Sequence, residues 1–195
     1  MSNILRTAAI FIALALAGIP TTNAVAATID VFLDPSSALV NENGAFTIDL
    51  VLNVPDAPGT HPGSIGGVVV IDFLPGLATY NGFSINAPST LASAPSIGSN
   101  GGLQTVTVGF NNAPEIGVVG TFSFTAAGAI GDIISVGLAD QDNFFGTFAN
   151  QAGPNQPFMP NFIGTSIQIV PLPAAAWLML SGLGLLGLRA RRRSP

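Results

Sequence analysis

The sequence predicts an all-β fold, an antiparallel β-sandwich, between two apolar end segments. Three observations carry that reading. Apolar and polar residues alternate with period two through most of residues 28–169. Gly, Pro and Asn break the alternation at short intervals, with 23 Gly and 15 Pro in the 195-residue chain. Nowhere in this span does a helical pattern run for ten or more residues, and the span has the length of one domain.

The elements follow in order. Residues 29–33 (IDVFL) open the body as a short strand. Phe46, Ile48, Leu50 and Leu52 alternate with Thr47, Asp49, Val51 and Asn53, which gives a strand with one buried face. Residues 68–71 (VVVI) are continuously apolar, as expected of a central strand covered on both faces, and residues 79–83 supply the next. Val106, Val108 and Phe110, then Phe122, Phe124 and Ala126, alternate with Thr, Ser and Gly; residues 133–138 and Ile167 with Ile169 complete the set. Residues 55–64 read as a rigid turn holding the single histidine, His61, and residues 86–102 as a flexible stretch. Residues 139–164 read as the longest loop, with Phe144, Phe145, Phe148, Phe158 and Phe162 among Asn, Gln and Pro. These phenylalanines are expected to fold the loop back onto the sandwich in preference to forming a contact surface.

The end segments read as addresses. Arg6 followed by the apolar run 8–19 and by small residues at Ala24, Ala26 and Ala27 is the pattern of a signal peptide, residues 1–27, removed by signal peptidase on export. At the other end residues 174–188 carry no charge and rise only about 22 Å as a helix, short of the hydrocarbon core. Trp177 suits an interfacial anchor, and Arg189, Arg191, Arg192 and Arg193 suit retention on the cytoplasmic side, leaving the body outside. Pro171 and Pro173 keep the segment before the apolar run extended and accessible to a protease.

Charge excludes whole classes of function. All five basic residues are arginines in these two ends, whereas all ten acids lie between Asp30 and Asp142. A body without Lys or Arg cannot neutralise phosphates, so nucleic acid is not its partner. With no cysteine, it has neither a disulfide framework nor a thiolate metal site.

Candidate chemistry is sparse. His61 has only Ser64 beside it as a nucleophile, which is no triad. Glu42, Glu115 and the eight Asp offer carboxylates for glycoside hydrolysis, but their spacing in sequence pairs none of them. Asp140, Asp142 and Asn143, with Gln141, cluster oxygen ligands; a calcium site and a solvated acidic turn are the two readings, and no other cofactor is expected. Stacking on sugars favours Trp or Tyr, and the body holds only Tyr80.

Two resemblances add to this. Val170, Pro171, Leu172, Pro173 and Ala174, followed by the apolar run and the arginines, resemble the PEP-CTERM sorting signal in its VPLPA variant, spanning residues 170–195. That family implies export by a Gram-negative bacterium, transient anchoring in the inner membrane, processing by an exosortase and a place at the cell surface or in an exopolysaccharide matrix or biofilm. Residues 29–35, 45–54, 66–77 and 120–126 make the body, residues 28–169, similar to cohesin-like domains, jelly-roll sandwiches related to carbohydrate-binding modules. The resemblances imply a non-enzymatic surface or matrix protein. The alternatives are a module binding polysaccharide or a dockerin-like protein and, less favoured, a glycoside hydrolase.

Overall fold

The computed structural model describes residues 28–54, 65–140, 148–150 and 159–172, which form thirteen strands in two packed sheets. The first sheet has the order β12 (Met159–Ile163), β1 (Thr28–Pro35), β3 (Ala45–Asn53), β9 (Ile116–Ala126) and β5 (Ala78–Ile85). The second runs β2 (Leu39–Asn41), β13 (Thr165–Val170), β10 (Ile133–Asp140), β4 (Ile65–Phe73), β8 (Leu103–Ala113) and β6 (Thr90–Leu91). Here β11 (Ala149–Asn150) also pairs with β4, and β7 (Ser96–Asn100) also pairs with β8.

The alternation read from the sequence is the burial pattern observed. Phe46, Ile48, Leu50 and Leu52 of β3 are buried, and the residues between them face outward, half-exposed. Val106, Val108 and Phe110 of β8 and Phe122 and Phe124 of β9 point into the same interior. Phe124 is the hub. Its ring stacks on Phe46 of β3 at 5.3 Å, meets Tyr80 of β5 edge-on at 5.8 Å, and receives Phe73 of the second sheet edge-on at 5.2 Å. Beside it Phe83 tilts onto Phe122 at 4.6 Å; a Cβ on Gly120 would collide with the Phe83 ring, so glycine is required there.

Several expectations are corrected. The sandwich is not purely antiparallel: β1 pairs parallel with β12, and β2 pairs parallel with β13. Both terminal stretches switch sheets, β1 to β2 through residues 36–38 and β12 to β13 at Gly164. A Cβ on Gly164 would lie 2.6 Å from the Val136 carbonyl oxygen. Residues 86–102 are not a plain flexible stretch, since β6 and β7 form an edge along β8. Likewise residues 139–164 are not one loop. Ala139 and Asp140 end β10, β11 takes up β4 beyond them, and β12 is a sheet edge.

Phe148 is fully buried against Phe110 and Phe162, each at 5.8 Å, and Phe162 is half-buried, so these two pack inward as expected. Phe144, Phe145 and Phe158 lie outside the described residues, as do both end segments expected to be helical.

The parallel pairings give the body a polarity. Thr28 lies opposite Met159 and Val170 opposite Asn41, so the chain enters at one end of the sandwich and leaves at the other. The turns at residues 42–44, 74–77, 101–102 and 127–132 share the Val170 end, and Glu115 and the start of β4 share the Thr28 end.

Two predictions follow from this core. Phe124→Ala leaves a cavity touching both sheets and is expected to lower stability by about 3–5 kcal/mol in urea denaturation, against less than about 1 kcal/mol for Thr125→Ala on the outer face. Burial raises the Tyr80 hydroxyl above its ordinary value. The folded state therefore holds the phenol proton more tightly than the unfolded one. The associated stability is fully present below pH of about 10 and is lost as pH rises through the folded value. Absorbance titration of this sole tyrosine should show the raised midpoint, and Tyr80→Phe should remove its share of the alkaline loss.

Candidate functional site

The residues singled out in the sequence do not gather. Asp140 is the last residue of β10, with its backbone opposite Val69, while Asp142 and Asn143 lie outside the described residues, as do His61 and Ser64. Glu42 sits in the turn after β2 at the Val170 end, and Glu115 between β8 and β9 at the opposite end, so those two carboxylates cannot act on one bond. Among the described residues no group of three His, Cys, Asp or Glu is arranged to hold a metal. Val170 makes the last pairing of β13, and Pro171 and Leu172 follow it exposed. The rest of the sorting motif, Pro173 and Ala174, the arginines from Arg189 to Arg193 and the cleavage region at Ala24, Ala26 and Ala27 lie outside the described residues.

What the tertiary structure does create is two outer faces that differ in charge and relief; the first carries an apolar row, Ile163, Phe32, Val51 and Val118, between its polar groups. On the first sheet the polar groups already satisfy one another. Asn161 Nδ2 donates to Asp30 Oδ1 at 3.0 Å, the Thr121 hydroxyl donates to Asp49 Oδ1 at 2.6 Å, and Asn81 Nδ2 donates to Thr125 Oγ1 at 2.9 Å. Asp34 lies directly opposite Asp49 across β1 and β3, so two carboxylates face each other on an open sheet surface. A like-charge pair so placed repels, and the Thr121 hydroxyl relieves one side of it.

The outer face of the second sheet is built differently. The run at residues 68–71 was expected to be covered on both sides, but only Val69 and Ile71 are buried. Val68 and Val70 stand half-exposed on the outside, because a two-layer sandwich leaves every strand one open face. Around them on neighbouring strands lie Thr107, Gly109, Gly137 and Ala139. Asp72 is the one carboxylate whose described side chain lies on this face; it lies across Gly137, where even a Cβ would collide with it. A glycine on β10 thus lets the Asp72 side chain lie low against the sheet.

One margin of this face is a cleft. Between β6 and β7 the edge bows away from β8 over residues 92–95. Val68, Thr107 and Gly109 form the cleft floor; Ala92, Ser93, Ala94 and Ser96 form its wall, around a volume of about 520 Å³. The Ala92 amide donates to the Gly109 carbonyl at 2.9 Å, which pins the start of the bow. Pro95 has no N–H to offer β8 and so suits the break in the ladder. Gly109 keeps the floor low, its nearest neighbour across the cleft being the Ala92 methyl at 3.4 Å from a built Cβ. The lining carries no charge and no aromatic ring, so the cleft offers shape, methyl groups and three hydroxyls. Sequence reading missed it because residues 86–102 are mostly small, with only Leu91 and Ile97 large and apolar; the Pro after a short Ala-Ser-Ala run is the local signal of an interrupted edge.

Comparison with known proteins places this architecture. Neither protein-family models nor curated protein sequences match the chain. Solved structures do. A chain of the type I cohesin–dockerin complex Coh-OlpC-Doc435 from Clostridium thermocellum superposes with a TM-score of 0.55 at 10% identity, over 77% of this chain and 99% of that one. One from the Coh-OlpA-Doc918 complex of the same organism gives 0.53 at 13% identity, over 73% and 99%. The sixth cohesin of scaffoldin B from Acetivibrio cellulolyticus, solved with a Cel5 dockerin, gives 0.51 at 12% identity, over 73% and 99%. At such identities the likeness is one of fold: the body is a cohesin-like β-sandwich.

Proposed function

We propose that this chain is an exported, non-enzymatic surface protein whose body binds another protein through the open face of its second sheet. The observation that carries the reading is the cleft beside the second sheet, together with the facing carboxylates that mark the first. Polar groups on the first sheet are bonded to one another, and covering them would trap a facing pair of carboxylates away from water, at a cost. Covering Val68, Val70, Thr107 and Gly109 removes apolar and small-residue surface from water, with Asp72 left at the margin of the covered patch. The cleft beside β8 gives that face relief to match a protruding side chain. The cohesins solved with dockerins support the same use of such a sandwich, as a protein-binding scaffold without catalytic groups.

The tail completes the proposal. Residues 170–195 act as a sorting signal that holds the exported body at the inner membrane until an exosortase-type enzyme cuts it, releasing the body to the cell surface or matrix. Pro171 and Leu172 are exposed directly after the last sheet pairing, which keeps the segment within reach of a protease while the body stays folded. The acidic body, free of basic side chains, suits a soluble surface protein that does not adhere to nucleic acid.

Two measurements test this. Val68→Arg or Gly109→Arg places a long cation on the open face and is expected to weaken capture of the natural protein partner at least tenfold, while Thr47→Arg on the first sheet leaves it unchanged. Equal capture by all three variants, or saturable capture of a purified polysaccharide in place of protein, defeats the binding proposal. Mass spectrometry of the mature protein should show the chain ending near Pro173 or Ala174; a membrane-bound form intact through Arg193 defeats the sorting proposal.

A further inference from the structure

Of the nine exposed large apolar side chains among the described residues, Leu91, Ile97, Ile116 and Ile163 stand apart, and the other five gather at one end. Leu39, Leu74, Ile130, Ile133 and Leu172 are each at least half exposed, and all five lie at the end where the chain leaves the sandwich. Their turns form one connected rim. The Ala127 amide donates to the Leu77 carbonyl at 2.9 Å, joining the turn at 127–132 to the turn at 74–77. The Gly131 amide donates to the Ile169 carbonyl and the Ile169 amide to the Asp132 carbonyl, both at 2.9 Å, joining that turn to the last strand. The Gln168 amide donates to the Ala38 carbonyl at 2.9 Å, bringing in the start of β2. Asp132 is turned to local work, its Oδ2 accepting from the Ala129 amide at 2.8 Å. The tips that project, Leu74 and Ile130, therefore stand on a braced base.

We propose that this rim is a membrane-facing surface, with Leu74, Ile130 and Leu172 resting in the lipid interface while the tail is in the bilayer. The occupant is argued from where the chain goes next. Two residues beyond Leu172 the uncharged run 174–188 begins, and the arginines from Arg189 to Arg193 follow it. A body tethered by so short a link must hold its Val170 end against the lipid, and that end is where the exposed Leu and Ile are concentrated. Apolar loop tips enter the interface by burying hydrocarbon. The rim carries no basic residue and holds Glu42 and Asp132, so it favours zwitterionic lipid over anionic lipid. The consequence is orientation: the tethered body stands on its rim, with the open sheet face directed sideways.

This inference rests on the tail proposal, and the test separates the two. The chain has no native cysteine, so Leu74→Cys, Ile130→Cys and Ile116→Cys can each carry a single environment-sensitive fluorophore. Ile116 is as exposed as the others but lies at the opposite end. The full chain reconstituted into phosphatidylcholine and phosphatidylethanolamine vesicles is expected to float with them. Labels at 74 and 130 should shift to the blue and be quenched at least twofold by acyl-chain-brominated lipid, and the label at 116 should do neither. A chain that floats while labels 74 and 130 stay in water overturns the rim and leaves the tail proposal standing; a chain that does not float overturns both. Shielding without lipid that grows with protein concentration assigns the rim to a second copy. Shielding without lipid that vanishes when residues 174–195 are deleted assigns it to the tail. Either result overturns the membrane reading.

Discussion

The fold depends on one contact between layers, the meeting of Phe124 from the first sheet with Phe73 from the second. With no disulfide and no metal cluster among the described residues, the two sheets are held by apolar packing, and the largest rings of that packing converge on Phe124. Aromatic rings suit this task because each buries a large area with few rotatable bonds, and the edge-on geometry adds its own attraction. The core is otherwise Val, Ile, Leu and Ala, and the one buried polar side chain among the described residues is Ser89. An interior so free of polar groups needs no paired charges, which is how the body can carry acids alone and keep them outside.

The second organising feature is the pair of parallel contacts at the margins of the sheets. By running β1 with β12 and β2 with β13, the chain ties its first and last strands together in both layers. It also fixes entry and exit at opposite ends. The open sheet face runs along the strands and the exit rim lies across their ends, so the two surfaces are roughly perpendicular. The proposed partner surface and the proposed membrane rim therefore would not compete for space, and Pro171 and Leu172 follow the last pairing of β13 without belonging to a strand.

The open face owes its character to small residues in specific places. Gly109 lowers the floor of the cleft, Gly137 gives room to Asp72, and Val68 and Val70 supply the apolar ground between them. On the first sheet the outward positions are an apolar row, Ile163, Phe32, Val51 and Val118, flanked by Asp, Asn and Thr that pair among themselves. The first sheet thus sets a facing pair of carboxylates beside its apolar row, and the second sets a cleft beside its small-residue surface.

Much of this was legible in the residues. Alternation at Phe46 to Leu52 and at Phe122 to Ala126 gave strand and inward face together, because the pleat sends every second side chain to the same side. The segregation of arginines to the ends and acids to the body was legible as well, since charge needs no fold to be counted. Residues 96–100 form a hairpin with β8 across Gly101 and Gly102, a local turn signal that the reading as a flexible stretch passed over. Residues 90–91 and 159–163 were not legible as strands, because they are held by neighbours distant in sequence. For the same reason Val68 to Ile71 suggested burial on both sides, when only the number of layers could decide it. By itself the sequence determined the all-β class, the apolar interior and the charge layout, which are properties of local pattern and composition. The tertiary structure alone decided the parallel pairings, the opposed exits, the bowed edge with its cleft and the gathering of Leu74, Ile130 and Leu172 on one rim, because each brings together residues that no local rule relates.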